Sequence, residues 1–416
     1  MNKRIKIHYH SDCPFFAGCE GMLINLFNSE CLHEIADLSF SYAISPSYEK
    51  VFQEKLEKNL SIYPLRWPNL HEIRFFKKVL PRKLYSLTIQ FARAVLYGPL
   101  FLFQTVLLFC IFRKTKPDIL HVNNGGYPGA RSALAATVAA KFARVPTVLM
   151  VVNNMAIGRW HYSRLCDFPI DWVVARCTNV FITGSRTAKD RLKNVLNLPE
   201  EKVLAIHNGI KPRPESSTTE ATRQRLGLDQ YHGVVFGVVA LMIKRKGHIY
   251  LLEAIRNIIY NNNLTSGELK VIIEGDGELR VELEEFVRIH KINGCISFIG
   301  VEDNIFDFMR AIDVLVFPSV ENEDFPNVII EAMSLGKPVI SSIIAGTVEQ
   351  IENQVTGILV KPRNISDLMD AIVQLATEPI KRKFMGSAAC DRYNKHFSSV
   401  RAVENYIRLY KHLSNK

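Results

Sequence analysis

No two of the eight cysteines form a C-x-x-C pair. They stand at Cys13, Cys19, Cys31, Cys110, Cys166, Cys177, Cys295 and Cys390, at spacings that suggest no zinc site. They read as reduced thiols of a cytoplasmic protein, mostly core filler. The start, MNKRIKIHYH, has no apolar run after its basic residues, so it does not read as a signal peptide. It reads as a basic edge entering a first strand. Internal repeats and low-complexity tracts are lacking. Glycine (22) and proline (18) are ordinary, which argues against a fibrous or disordered chain. Acidic charge is scarce in one half only. Residues 1–200 carry 26 Lys/Arg against 14 Asp/Glu, whereas residues 201–416 carry 26 against 27. The net charge of +11 is therefore a property of the first half, and it suits an anionic membrane, a phosphorylated substrate or nucleic acid. No recognition-helix or stacking-sheet motif accompanies it, which disfavours nucleic acid.

What is present is core material. Of the 416 residues 48% are hydrophobic, and single cores stop growing at about 250–300 residues, so two domains are expected. The stretch 211–222, KPRPESSTTEAT, reads as an exposed linker between them. Short β-prone runs fall at Ile119–Asn123, Thr147–Val152 and Val180–Thr183, and again at Val234–Leu241, Lys270–Glu274, Ile296–Ile299, Val314–Pro318 and Pro338–Ser342. Helical patterns sit between them, as at His248–Tyr260, Glu278–His290 and Asn327–Leu335. This alternation predicts an α/β chain with parallel sheets covered on both faces. Such sheets bind ligands beyond the carboxyl ends of their strands, and two domains would leave a cleft between them.

The loops after strands therefore hold the candidate chemistry. In FPSVENEDFPNVIIEAMSLGKPVISS (317–342) a strand ends near Pro318, an acidic loop follows, and a helix begins near Pro326 or Asn327. Gly336 suits the position after that helix, and Pro338 blocks its continuation. Glu323 lies in the loop and Glu331 little more than a turn into the helix, close to N–H groups that favour phosphate oxygens. Two carboxylates there fit sugar hydroxyls, or simply a solvated acidic loop. Lys246-Gly247 follows another strand, where a lysine can meet a diphosphate and glycine lets backbone approach. Gly275-Asp276-Gly277 follows a third, a weak signal that a plain turn also explains.

Taken together these motifs acquire a pattern. Glu323-x7-Glu331, within EDFPNVIIEAMSLGKPVI, resembles the signature of retaining glycosyltransferase family four. That family has the GT-B fold, two Rossmann-like doubly wound parallel-sheet domains facing a central cleft. The resemblance implies that Glu323 lies by the donor sugar and that Glu331 binds the ribose. It casts Lys246 as the catalytic partner of Glu323, at the donor diphosphate. The family's Gly-Phe-Gly or Gly-Phe-Pro loop is here Asp324-Phe325-Pro326, so amides at Asp324, Phe325 or Asn327 would carry donor contacts. The family's arginine five residues before the lysine is here Leu241, which leaves Lys244 or Arg245 to substitute. Gly275, Gly277 and Val301 stand where the family lines its nucleotide. In the first half, Ala17-Gly18-Cys19-Glu20 resembles a Gly-Gly-x-Glu loop that would place Gly18 beneath the diphosphate. Asp118-Ile119-Leu120-His121 resembles a strand ending in histidine, and Asn153 replaces a second histidine. His121 and Asn153 are the acceptor-side candidates, with a structural role for His121 equally open. Asn208-Gly209 resembles the end of the family's first domain.

The implied domains are an acceptor-binding 1–210, the linker 211–222, a nucleotide-sugar-binding 223–384, and C-terminal helices in 385–416 packing back on the first domain. Residues 94–112 hold no charge over nineteen positions, close to the length of a membrane span, but a span would split the first domain. With Arg74, Lys77, Lys78, Arg82, Lys83 and Arg93 nearby, the segment 71–112 reads as peripheral docking on an anionic, cytoplasmic membrane face, or as a buried helix with a basic flank. The implied reaction moves a hexose-type sugar from a nucleotide-sugar donor to a hydroxyl of a saccharide or lipid-linked saccharide, with retention. Cell-surface polysaccharide synthesis is the expected setting. The family delivers the acceptor hydroxyl on the face the phosphate leaves, so no base is named. No metal and no cofactor are expected. A nucleotide-sugar epimerase of the same fold and a non-catalytic sugar-nucleotide-binding partner remain alternatives.

Overall fold

The computed structural model describes residues 4–13, 16, 18–67, 82–158, 164 and 168–415, the side chains of 82–96 and 168 excepted. The chain divides into two compact units, Met1–Ile206 with Val403–Lys416, and His207–Ala402.

The first unit is a parallel sheet in the order β3-β2-β1-β4-β5-β6-β7. Its strands are β1 (Ile5–Ser11), β2 (Ala36–Ala43), β3 (Ser61–Leu65), β4 (Ile119–Asn124), β5 (Thr147–Val152), β6 (Val180–Thr183) and β7 (Val203–Ala205). Its helices are α1 (Gly18–Phe27), α2 (Glu30–Ile35), α3 (Pro46–Lys55), α4 (Arg82–Thr115), α5 (Arg131–Phe142), α6 (Phe168–Cys177) and α7 (Arg186–Leu196). Strand order grows outward from β1 in both directions. Right-handed crossovers then place the helices before β3 on one face and α4 to α7 on the other. Strand alternation serves both layers. Leu120 and Val122 of β4 join Leu108 and Phe112 of α4 and the alanines of α5 in one core. His121, between them, points to the opposite face. Every residue of β4 and β5 is buried, as expected of strands covered on both sides.

The second unit is a parallel sheet in the order β10-β9-β8-β11-β12-β13. Its strands are β8 (Val234–Val239), β9 (Leu269–Glu274), β10 (Ile296–Gly300), β11 (Val314–Phe317), β12 (Val339–Ser342) and β13 (Gly357–Val360). The helices are α8 (Thr219–Arg225), α9 (His248–Tyr260), α10 (Arg280–Ile289), α11 (Ile305–Ala311), α12 (Asn327–Ser334), α13 (Thr347–Gln350), α14 (Ile365–Thr377) and α15 (Pro379–His396). A last helix, α16 (Ser399–Ser414), begins in this unit and ends in the first. Helix α12 stops as its sequence dictates. Gly336 adopts φ +65°, and the N–H groups of Gly336 and Lys337 bond to the carbonyls of Met333 and Ala332 at 3.0 Å each.

The two units divide at other residues than the sequence alone suggests. Residues 211–222, expected as an exposed linker, are mostly exposed but belong to the second unit, since the units meet at Ile206/His207. Its polar groups find partners far along the chain. The Ser216 hydroxyl and N–H bond to Asp307, the Pro214 carbonyl accepts from Asn304 at 3.1 Å, and the Arg213 carbonyl from Arg310 at 2.7 Å. Of the C-terminal helices, only Val403–Lys416 joins the first unit. Helix α15 stays in the second, where Met385 and Ala389 are fully buried.

Candidate functional site

The second unit gathers its charged candidates at the carboxyl ends of its strands. After β8 the chain makes a tight turn, Lys244–Lys246, and Gly247 turns it into α9 with φ +71°. A Cβ at Gly247 would lie 2.1 Å from the Pro318 carbonyl oxygen, so only glycine lets this turn press against the loop after β11. The Val320 N–H fastens the two loops by donating to the Arg245 carbonyl at 2.8 Å.

Across that junction sits Glu323, 7% exposed. One of its oxygens, Oε1, accepts from Arg245 Nη1 at 2.5 Å, Lys246 Nζ at 2.7 Å and Ser319 Oγ at 3.3 Å. Burial pulls the Lys246 ammonium below its usual pKa, and Glu323 pulls it back up. Lys244 is exposed, and so is Leu241, at 58%. Of the two residues that could stand in for the arginine replaced by Leu241, Arg245 shares Glu323 with Lys246, and Lys244 is exposed.

Glu331 projects from the first turns of α12, half-buried. Burial pushes its carboxyl up to about 7, the charge of Glu274 adds to the shift, and Arg213 opposes it. The glycines after β9 serve close backbone approach. Cβ atoms at Gly275 and Gly277 would fall 2.1 Å from the Ala240 oxygen and 2.5 Å from the Met242 oxygen. Those loops are hydrogen-bonded, Met242 N–H to the Asp276 carbonyl at 2.9 Å and Leu279 N–H to the Met242 carbonyl at 3.0 Å. Val301 stands at the rim, 73% exposed.

The loop 324–327 is held by its side chains. Phe325 stacks on His207 with ring centroids 4.7 Å apart and packs against Phe397. His207 in turn meets Glu349 at 3.0 Å. Asp324 is 2% exposed, and its carbonyl accepts from the Gly346 N–H at 2.8 Å. Asn327 Oδ1 accepts from Asn208 Nδ2 at 3.2 Å. The His207, Glu349 and Phe397 supports of this loop had no sequence signal, since each comes from a different part of the chain.

In the first unit, Gly18 opens α1, and Ala17 lies outside the described residues. Glu20 is 1% exposed yet fully bonded. Its Oε1 accepts from Ser11 Oγ at 2.7 Å and Asn123 Nδ2 at 3.0 Å, and its Oε2 from Tyr48 at 2.6 Å. Burial raises its pKa and these three bonds oppose the rise. Asn153 extends the network, donating to Asn123 Oδ1 at 2.8 Å and to the Asn124 carbonyl at 3.0 Å. The thiols of Cys13 and Cys19 also come within 4.8 Å of the Glu20 carboxylate and of each other, the one such group of ligand-type atoms among the described residues. Sequence spacing did not reveal it.

His121 stands inside the sheet. It lies within β4, not at its end, is 1% exposed, and shares a 2.7 Å hydrogen bond through Nδ1 with Tyr410 of α16. Tyr9 and Tyr406 flank its ring. Burial holds its pKa far down, to about 3, so the ring is neutral there, which favours the structural one of the two roles left open for it.

Comparison with known proteins agrees with this arrangement. The family described as glycosyl transferases group 1 matches residues 233–378, and glycosyltransferase family 4 matches residues 61–213. The chain is 26% identical over 309 residues to the UDP-Gal:alpha-D-GlcNAc-diphosphoundecaprenol alpha-1,3-galactosyltransferase of Escherichia coli, covering 73% of this chain and 77% of that one. It is 24% identical over 313 residues to the capsular polysaccharide biosynthesis glycosyltransferase CapM of Staphylococcus aureus, covering 72% and 78%. Among solved structures, Anabaena HepE in complex with UDP superposes with a TM-score of 0.76 at 18% identity, covering 98% of this chain and all of that one, 100%. Two parallel α/β units in this order are those of the GT-B fold. The chain belongs to the family-four glycosyltransferases.

Proposed function

We propose that this glycosyltransferase moves a hexose from a UDP-sugar to a hydroxyl of a lipid-linked saccharide, with retention, in the assembly of a cell-surface polysaccharide. The observation that carries the reading is the meeting of Arg245 and Lys246 on Glu323 at the carboxyl end of the second sheet. Two cations fixed beside a buried carboxylate suit a departing diphosphate, whose charge grows as the sugar bond breaks. Glu323 holds both cations in place and lies where the donor sugar would sit. Glu331 accepts the ribose hydroxyls, and backbone groups of the loops at 275–277, 301 and 324–327 line the nucleotide. These cations carry the charge, so transfer proceeds without a metal. UDP is favoured because HepE was crystallised with it and the Escherichia coli relative is named for a UDP-sugar. The lipid-linked acceptor is favoured by the diphosphoundecaprenol of that same relative and by capsule synthesis in CapM.

The test is a thermal-shift and turnover screen with UDP-, GDP- and ADP-sugars, Glu331→Ala serving as control. Stabilisation by a UDP-sugar alone, lost in the variant, supports the assignment. Stabilisation by another nucleotide only would overturn the donor. The anomeric proton coupling of the product reports retention directly. Sugar epimerisation in the absence of any acceptor would replace transfer with the epimerase reading.

A further inference from the structure

Helix α4 is apolar on the side that faces water. Over Tyr97–Thr115 its mean hydropathy is 1.2, yet only 28% of that stretch is buried. At about 100° per residue the helix divides into two arcs. The inner arc, with Gln104, Thr105, Leu108 and Phe112 buried, packs on α5. The outer arc carries Leu102, Phe103 and Val106, which are 64%, 49% and 53% exposed, followed by exposed Cys110 and Arg113. A helix on a soluble surface normally turns polar residues outward. This one exposes large apolar side chains in a row, the mark of an interaction surface.

Charge identifies the partner. Helix α4 contains Arg82, Lys83, Arg93, Arg113 and Lys114 and no Asp or Glu. Lys116 follows it, exposed. A second copy of this chain would oppose the same basic face to itself, which is unfavourable in a two-fold contact. An anionic bilayer complements it on both counts, apolar interior and negative headgroups.

The helix cannot cross that bilayer. Its inner arc rests on α5, whose residues Ser132–Ala140 are all buried, and α5 joins β4 to β5 within the sheet. The Arg131 guanidinium sits over the Tyr97 ring at 4.5 Å, tying the two helices together. Lipid can reach the outer arc alone.

We propose that α4 lies flat on an anionic membrane surface, with Leu102, Phe103 and Val106 entering the boundary between headgroups and acyl chains. Arg113, Lys114 and Lys116 then meet lipid phosphates at the end of the helix. The surface stands on this helix alone. It deepens the proposed function by bringing a lipid-linked acceptor to the protein, but does not require that reading.

The experiment is sedimentation of the full chain with vesicles of phosphatidylcholine and of phosphatidylcholine mixed equally with phosphatidylglycerol. Wild type should bind the mixed vesicles at least about tenfold better, as three basic side chains near an anionic surface imply. Leu102→Ser/Phe103→Ser/Val106→Ser should lose binding to both. Arg113→Gln/Lys114→Gln should lose the phosphatidylglycerol preference and its sensitivity to salt. All three positions of the serine variant are exposed, so its melting should match wild type and its donor-induced thermal shift should persist. Unchanged vesicle binding by the serine variant would overturn the proposal. So would wild-type protein that resists carbonate extraction, which indicates a span, or a dimer that the serine substitutions dissociate. Loss of the donor shift in wild type would count against the transfer reading and leave the membrane surface standing.

Discussion

The ammonium of Lys246 and the carboxylate of Glu323 meet at 2.7 Å across the two loops that follow β8 and β11. Arg245 reaches the same oxygen, so one carboxylate organises two cations. Lys246→Ala should lower turnover by about 10²–10³-fold, the scale for losing a fixed group that meets developing charge. Arg245→Ala should cost less, and Glu323→Gln should loosen both cations. Nucleoside diphosphate release under saturating donor measures all three. Excess EDTA should leave wild-type turnover unchanged.

Glu331 gives a pH signature. An acid whose folded-state pKa lies above its unfolded value supports the fold below that unfolded value, and the support is lost as pH rises through about 7. Glu331→Gln should therefore raise the melting temperature relative to wild type more at pH 8 than at pH 5. Donor affinity should move the other way in wild type, strengthening from about pH 6 to about pH 8 as the carboxylate forms, and Glu331→Gln should flatten it. Thermal melts and donor titrations across that range check both.

Gly247 has the geometry to fail abruptly. Gly247→Ala places a methyl group 2.1 Å from the Pro318 carbonyl in a left-handed conformation, so the junction that presents Lys246 must shift. A loss of about 2 kcal/mol or more is expected, with donor binding lost in whatever remains folded. Gly267→Ala, whose Cβ would find only the Thr265 hydroxyl at 3.7 Å, should be benign by the same melt.

Tyr410→Phe tests the core of the first unit. The substitution removes the hydroxyl that bonds His121 at 2.7 Å and Tyr9 at 3.1 Å, stranding both in a dry interior. About 1–3 kcal/mol should be lost, seen as a lower melting temperature. His121→Phe in the same background should recover part of it, since the imidazole is then no longer stranded and only the Tyr9 hydroxyl lacks its partner.

Much of this was legible in the chain, and the gaps have causes. The strands at Thr147–Val152 and Val180–Thr183 and the helix His248–Tyr260 match their sequence patterns residue for residue. Long apolar runs between turn signals leave little freedom there. β2, reading ADLSFSYA, was not assigned, because its serines soften the apolar pattern and are rationalised only by His8 and His10, which they bond across the sheet. The role of His121 turned on strand parity, since neighbouring positions face opposite layers and sequence does not say which layer holds water. That Arg245 reaches Glu323, and Lys244 does not, follows from the turn geometry of 244–246. The stretch 211–222 reads as a linker between domains because its main anchor, Asp307, lies 91 residues from Ser216. The basic residues Arg74, Lys77 and Lys78 lie outside the described residues, as do the side chains of Arg82, Lys83 and Arg93.

The Tyr9–Tyr410 contact joins residues 401 positions apart. A ribosome makes Tyr9 before, and Tyr410 after, the whole of His207–Ala402. The first unit therefore waits, its core open on one side, while the whole of His207–Ala402 is synthesised and can close around its own sheet. Of the two units, the one begun earlier is the one finished later, and during that interval the face destined for α16 is what a chaperone would have to shield.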